Sequence, residues 1–213
     1  MVVEESINRD FEVLRRVRQA FGSGTEIIVN SICYQDCQFR MFHYNQISGD
    51  SVRDCSELSC NYYPSRCLSR SYEDLSIFAK CSWIRPEDLH YYCEIGIEHF
   101  KVQGRQSVLT GDPVRVVEAY MKEDFDGNLR DLLFMFSPSN IYGIPIDNKA
   151  FGDFLRPFFE KPGFCVRDCQ AHGYCDGIAR KCVDVTQANA MAAMMLKTIR
   201  ERDPFRNLLL KKP

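Results

Sequence analysis

Apolar positions along this chain change period in a regular order. Phe11, Leu14, Val17 and Phe21 recur at helical spacing while Arg15, Arg16 and Arg18 fall on other faces, which predicts a helix over 9–21. Asn8 or Asp10 supplies its cap and Gly22-Ser23-Gly24 ends it. Val2 and Val3 suit a short strand ahead of it. Residues 26–30, Glu-Ile-Ile-Val-Asn, are short, apolar and β-branched, the pattern of a buried parallel strand. Periodicity then fades: residues 31–82 are polar, aromatic and rich in cysteine, and read as a long irregular insert that something else, such as a metal, must order.

Regularity returns at Trp83. Pro86, Glu87 and Asp88 fit the first turn of a helix that Gly96 stops, with Arg85, Glu87 and Asp88 acting mainly as capping residues. Residues 99–102 form the next strand, buried on both faces. Gly111-Asp112-Pro113 opens a helix whose inner face is Val114, Val117, Tyr120 and Met121. A short helix over 128–136 buries Leu129, Leu132, Leu133 and Phe136. The order β-α-β-(insert)-α-β-α favours an α/β barrel or an open α/β sheet. Beyond Pro138 the pattern loosens, until a helix over about 187–201 carries Met191, Met194, Met195 and Ile199 as a core stripe. Residues 203–213 read as a docked or frayed end. The chain thus divides into a barrel-like part over 1–136, with its insert at 31–82, and a part over 137–213 made of a linker, a cysteine-rich knuckle and a helix.

The eleven cysteines change this picture. Cys33, Cys37, Cys55, Cys60, Cys67, Cys81 and Cys93 form one group; Cys165, Cys169, Cys175 and Cys182 form another; Glu94 to Phe164 contains none. Convergent thiolates are what a metal needs. A disulfide framework fits poorly: the chain has 213 residues, is 45% hydrophobic, opens with no signal-like segment, and has an odd cysteine count. Cys81 and Cys93 sit beside apolar patterns and read as small buried hydrophobes. Cys33 and Cys37 directly follow a predicted strand, where parallel α/β folds place their sites. Cys55, Cys60 and Cys67 offer further ligands. Four thiolates suit zinc or an iron–sulfur cluster, and the lack of paired C-x₂-C knuckles favours iron–sulfur. Cys165, Cys169, Cys175 and Cys182, with His172 among them, make a second compact ligand set for which zinc is an option, and Gly163, Gly173 and Gly177 permit its tight backbone.

A net charge of −2 gives no global attraction to DNA or to anionic lipid, and no apolar run approaches a membrane span, so the chain reads as cytoplasmic. His43 lies beside the first cysteine pair as a candidate substrate contact, ahead of His90, His99 and His172. Lys101 and Arg105 bracket a strand end and are candidates for holding an anionic substrate.

Three segments, VNSICYQDCQFRMFHYN, WIRPEDLHYYCEIGIEHFKVQGR and VVEAYMKEDFDGNLRDLL, resemble the collagenase-like peptidase family U, number thirty-two, in order and spacing from about Ile7 to Phe136. The resemblance implies a TIM-like (β/α) barrel and, as in many members, an oxygen-sensitive 4Fe-4S cluster held by four cysteines. Cys33 and Cys37 match the first pair and Cys67 a later ligand; Cys55, with Cys60 as its rival, is the remaining one. The gap between Cys33 and Cys37 is shorter than in the quinone-pathway relatives. Family barrels also carry several strands ahead of the segment that Met1 to Asn30 matches, so a partial barrel is expected here, completed by a missing N-terminal half or a second chain. The resemblance implies oxygen-independent hydroxylation, or a related redox modification, of a small aromatic molecule or an RNA base. Two alternatives stand beside it: a peptidase acting on collagen-like or modified peptides, although the chain shows no HExxH, GxSxG or clear Cys/His dyad, and a non-catalytic subunit that completes a partner's barrel.

Overall fold

The Asp10 side chain accepts a hydrogen bond from Val13 N at 3.0 Å and so starts the first helix. In the computed structural model, which describes residues 1–50, 52 and 62–202, this helix is α1 (Phe11–Phe21). The next elements are β1 (Glu26–Ile28), α2 (Arg40–Asp50), α3 (Tyr62–Glu73), α4 (Leu89–Glu94) and β2 (His99–Lys101). They are followed by α5 (Arg105–Val108), α6 (Pro113–Met121), α7 (Leu129–Leu133), α8 (Arg156–Glu160), α9 (Cys169–His172), α10 (Tyr174–Cys182) and α11 (Val185–Arg202). Asp112 and Asn128 cap α6 and α7 as their sequence positions predict, and Gly96, at φ +82°, closes the turn after α4.

The strands β1 and β2 pair in parallel, with Glu26 opposite His99 and Ile28 opposite Lys101. The N-terminus lies alongside β1: Val3 N donates to Glu26 O and Glu26 N to Met1 O, both at 2.8 Å. Asn8, instead of capping α1, is fully buried and donates to Ile28 O and Ser82 O. Asn30 clamps the carboxyl ends of both strands, donating to Gln103 O at 2.7 Å and accepting from Gln103 N at 2.8 Å. Two parallel strands are common to a barrel segment and an open sheet.

Three expectations need correction. Residues 31–82 are not an irregular insert, since they contain α2, α3 and a 3₁₀ turn over Leu75–Lys80; the weak periodicity reflects helices that bury little of themselves. Residues 99–102 are not buried on both faces: His99 and Lys101 are exposed and Phe100 is half-buried. Helix α6 turns Val116, Ala119 and Tyr120 inward and leaves Val114, Val117 and Met121 exposed.

One hydrophobic cluster runs from Val3 to Ala192 and so spans both predicted parts. Its centre is aromatic: Trp83 packs edge-on to Phe151, and Phe11 meets Tyr92 and Phe159. The polar ends of these rings find partners, as burial demands. Trp83 Nε1 donates to Phe78 O at 2.6 Å, Tyr92 to Asn8 O at 2.7 Å, and Tyr120 to Ile84 O at 2.9 Å. Helix α10 packs on the Leu75–Lys80 turn and α11 on α3.

Arg85 and Asp88, read from sequence as caps, form a buried bidentate pair with both bonds at 2.8 Å. The same guanidinium donates to Asn148 O and Gly152 O, tying the later loop to the first part. Removing one partner strands a buried charge, so Asp88→Ala is expected to cost about 3–5 kcal/mol, measured by urea denaturation. A loss below 1 kcal/mol, roughly the value of an exposed pair, would contradict the pairing.

Candidate metal centre

The chain leaves β1 through Val29, whose carbonyl accepts from Ile84 N at 2.7 Å, and reaches Cys33. There Ser82 N donates to Cys33 O at 2.9 Å and Gln35 N to Lys80 O at 3.2 Å, while Tyr34 bridges Cys81 in antiparallel fashion. Asp36 takes a left-handed conformation at φ +53°, and the turn ends in the bonds from Cys37 N to Tyr34 O and from Arg40 N to Cys37 O. Cys33 and Cys37 thus flank a turn held from one side by residues 80–82.

Thiols from three segments lie within electrostatic reach of one another around this turn. Burial first, then Glu5, pushes the Cys33 thiol up to about 11, against the neighbouring Tyr44 hydroxyl and the charge of Arg40; Cys67 raises it further. The Cys67 thiol, on α3, is pushed up by burial and then by Cys37. Cys81, read from sequence as an inert hydrophobe, belongs to the same neighbourhood: burial raises it to about 12, Cys67 and Cys33 add to the rise, and its S–H donates to Ile77 O. Cys55 and Cys60 lie outside the described residues. Among the described residues no three His, Cys, Asp or Glu side chains are arranged to hold a metal ion as they stand. The donor chemistry, soft thiolates from several segments, fits a thiolate-bound metal group. Cys93 stands apart on α4, near Glu123 and Glu98.

Arg130 completes the neighbourhood, and nothing in its sequence setting on α7 marks it. Its guanidinium lies 4.6 Å from the Tyr142 ring centroid and 4.8 Å from that of Phe134. Its Nε is shielded from solvent and has no hydrogen-bond partner. It makes no ion pair with a carboxylate among the described residues, and Cys81 is the first group favouring its charge.

His43, on α2, is half-buried against Tyr44 and Tyr63, and burial lowers its pKa. Around it Phe39, Phe42 and Tyr44 are exposed, and Phe42 stacks on Tyr63. This aromatic shelf is carried by the helices that follow Cys37 and contain Cys67. Lys101 does not join it but reaches back toward Glu26 at 3.9 Å, and Arg105 sits exposed at the start of α5.

Part of the second cysteine group also lies against the turn. Tyr34 lies beside Cys169, and Arg167 pairs with Asp36. Burial pushes Cys175 up to about 11, opposed by Arg9 and reinforced by Cys169 and Cys165. Cys182 is elsewhere: it is buried, with Arg85 and Asp147 as its charged neighbours.

Burial disfavours the thiolate, so alkylation of Cys33 in metal-free protein should keep rising with pH beyond the ordinary thiol value of 9.0 and level only at about 11. Cys81, still more buried, should react more slowly than exposed Cys93 throughout. Site-resolved mass spectrometry checks both. Levelling of Cys33 near neutral pH would contradict this environment.

Comparison with known proteins gives one informative relative, described as an uncharacterized protease of Methanocaldococcus jannaschii. It is 30% identical to this chain over 186 residues, which cover 87% of this chain and 53% of the relative. The chain therefore spans about half the length of the curated relative that it matches. No family model matches the chain, and no solved structure does. No helix among the described residues is long and apolar enough to cross a membrane. The finding common to sequence and relative is likeness to a protein described as a protease.

Proposed function

We propose that this chain is the iron–sulfur part of a peptidase-U-type barrel protein that carries out oxygen-independent hydroxylation, or a related redox modification, of a small aromatic molecule or an RNA base. The observation that carries this reading is that Cys67 lies within electrostatic reach of both Cys33 and Cys37, the pair that follows β1, and of the buried Arg130, which makes no ion pair with a carboxylate among the described residues. Cys55 or Cys60 is the proposed fourth ligand. A 4Fe-4S cluster would supply electron transfer. The chain's own residues supply the surroundings: Tyr44 lies beside the Cys33 sulfur, Arg130 contributes positive charge, and the shelf of Phe39, Phe42, Tyr44 and Tyr63 offers flat apolar faces for an aromatic ring.

The missing part of the barrel is proposed to come from further polypeptide, since β2 presents an outer edge with no strand partner among the described residues. A peptidase is the second reading, favoured by the description of the relative. His43 gives it little support, because its ring neighbours are tyrosines and no nucleophile is placed beside it among the described residues.

Protein prepared without oxygen should contain iron and acid-labile sulfide in equal amounts and be brown. Cys33→Ser and Cys67→Ser should lose the colour and Cys93→Ser should keep it. Stoichiometric zinc without sulfide would contradict the reading, and hydrolysis of collagen-like peptides by the colourless variants would favour the peptidase.

A further inference from the structure

Cys165, Cys169, His172 and Cys175 line a single cavity of about 20 Å³, together with Phe158 and Tyr174. That is room for one water-sized occupant. We infer that these four side chains form a zinc site of three thiolates and one imidazole, distinct from the first cysteine group and independent of what that group binds.

The local backbone is built for convergence. Asp168 caps the single turn of α9 by accepting from Ala171 N at 3.1 Å, which places Cys169 and His172 three residues apart on one helical turn. Gly173 takes the left-handed conformation at φ +62°, and α10 starts at once, returning Cys175 toward Cys169. Cys165 lies in the irregular segment before α9. As they stand, the four are not gathered on one point. Cys165 and His172 are both exposed, however, so rotation between staggered side-chain wells can bring them in without moving buried structure.

Charge makes a second, separate argument. Arg9 is 5% exposed and has no ion pair with a carboxylate among the described residues. It donates to Ala79 O and Trp83 O, and its Nε has no partner. Cys175 is the first group favouring its charge. Zn²⁺ with three thiolates and a neutral imidazole carries one net negative charge, which the Arg9 guanidinium offsets. Soft sulfur and imidazole donors in a closed four-ligand set select zinc in a structural role. The site would fasten the knuckle to the Cys33–Cys37 turn, which it already meets through Tyr34 and Arg167.

Cys182 is excluded, contrary to the grouping of four cysteines suggested by the sequence. It lies seven residues beyond Cys175 on the continuous helix α10, a rise of about 10.5 Å at 1.5 Å per residue, too far for one ion.

The test uses the full chain, metal-free, with and without one equivalent of Zn²⁺, read by alkylation at each cysteine. Zinc should slow the reaction of Cys165, Cys169 and Cys175 together by about tenfold or more and leave Cys93 unchanged, because coordinated thiolates are withdrawn from reaction. Chelator competition should show affinity lowered at least about tenfold in His172→Ala and kept in Cys182→Ser. Co²⁺ in place of zinc should give a tetrahedral thiolate spectrum. Since Cys169→Ser can disturb folding, the wild-type protection pattern and the exposed His172→Ala carry the decision. Protection confined to Cys33, Cys37 and Cys67, unchanged affinity in His172→Ala, or loss of zinc in Cys182→Ser would each overturn the assignment.

Discussion

The structure turns on one short backbone ladder. Ile84 N to Val29 O, Ser82 N to Cys33 O and Gln35 N to Lys80 O hold the strand exit and the following turn against residues 80–84. Buried backbone groups must be paired somewhere, and here that requirement joins segments some fifty residues apart in sequence. The pairing also fixes which way side chains go. Cys33 thereby comes within reach of Cys67 and Cys81, and Tyr34 of Cys169. Both cysteine neighbourhoods therefore depend on the same few hydrogen bonds.

The buried arginines differ in what offsets their charge. Arg85 has a carboxylate partner, Asp88, and carbonyls for its remaining donors; it ties loops together. Arg9 and Arg130 make no ion pair with a carboxylate among the described residues, and a cysteine is the first group favouring the charge of each. Desolvating a charge costs several kcal/mol and must be offset by nearby charge or hydrogen bonds. Aromatic faces supply part of that offset, from Trp83 and Phe154 for Arg9 and from Tyr142 for Arg130. The remainder is a physical reason to look for negative charge among the sulfurs.

Much of the fold was legible from local signals. The Asp10, Asp112 and Asn128 caps and the Gly96 stop act through their own backbone and need no tertiary knowledge. The strand at 26–30 was legible because it is buried: Ile27 and Val29 are fully enclosed. Helices α2 and α3 were not, because exposed Phe39, Met41 and Phe42 break the amphipathic pattern that periodicity relies on. The inner face of α6 was misread by one helical step, since valines at 114, 116 and 117 allow either choice. Sequence clustering placed Cys175 and Cys182 in one group, whereas helix rise sets them about 10.5 Å apart along α10. Arg9, Arg130 and Cys81 were missed because burial and proximity across the fold, not spacing, give them their roles.

Whether fold or metal organises the turn is the central question, and amide hydrogen exchange on the metal-free chain answers it most directly. If the ladder is the organising element, the amides of Gln35, Ser82 and Ile84 will exchange as slowly as those of the buried core around Ile27 and Leu132. Fast exchange at these three amides, slowed only when metal is added, would show that the ladder is a consequence of metal binding and would contradict the account.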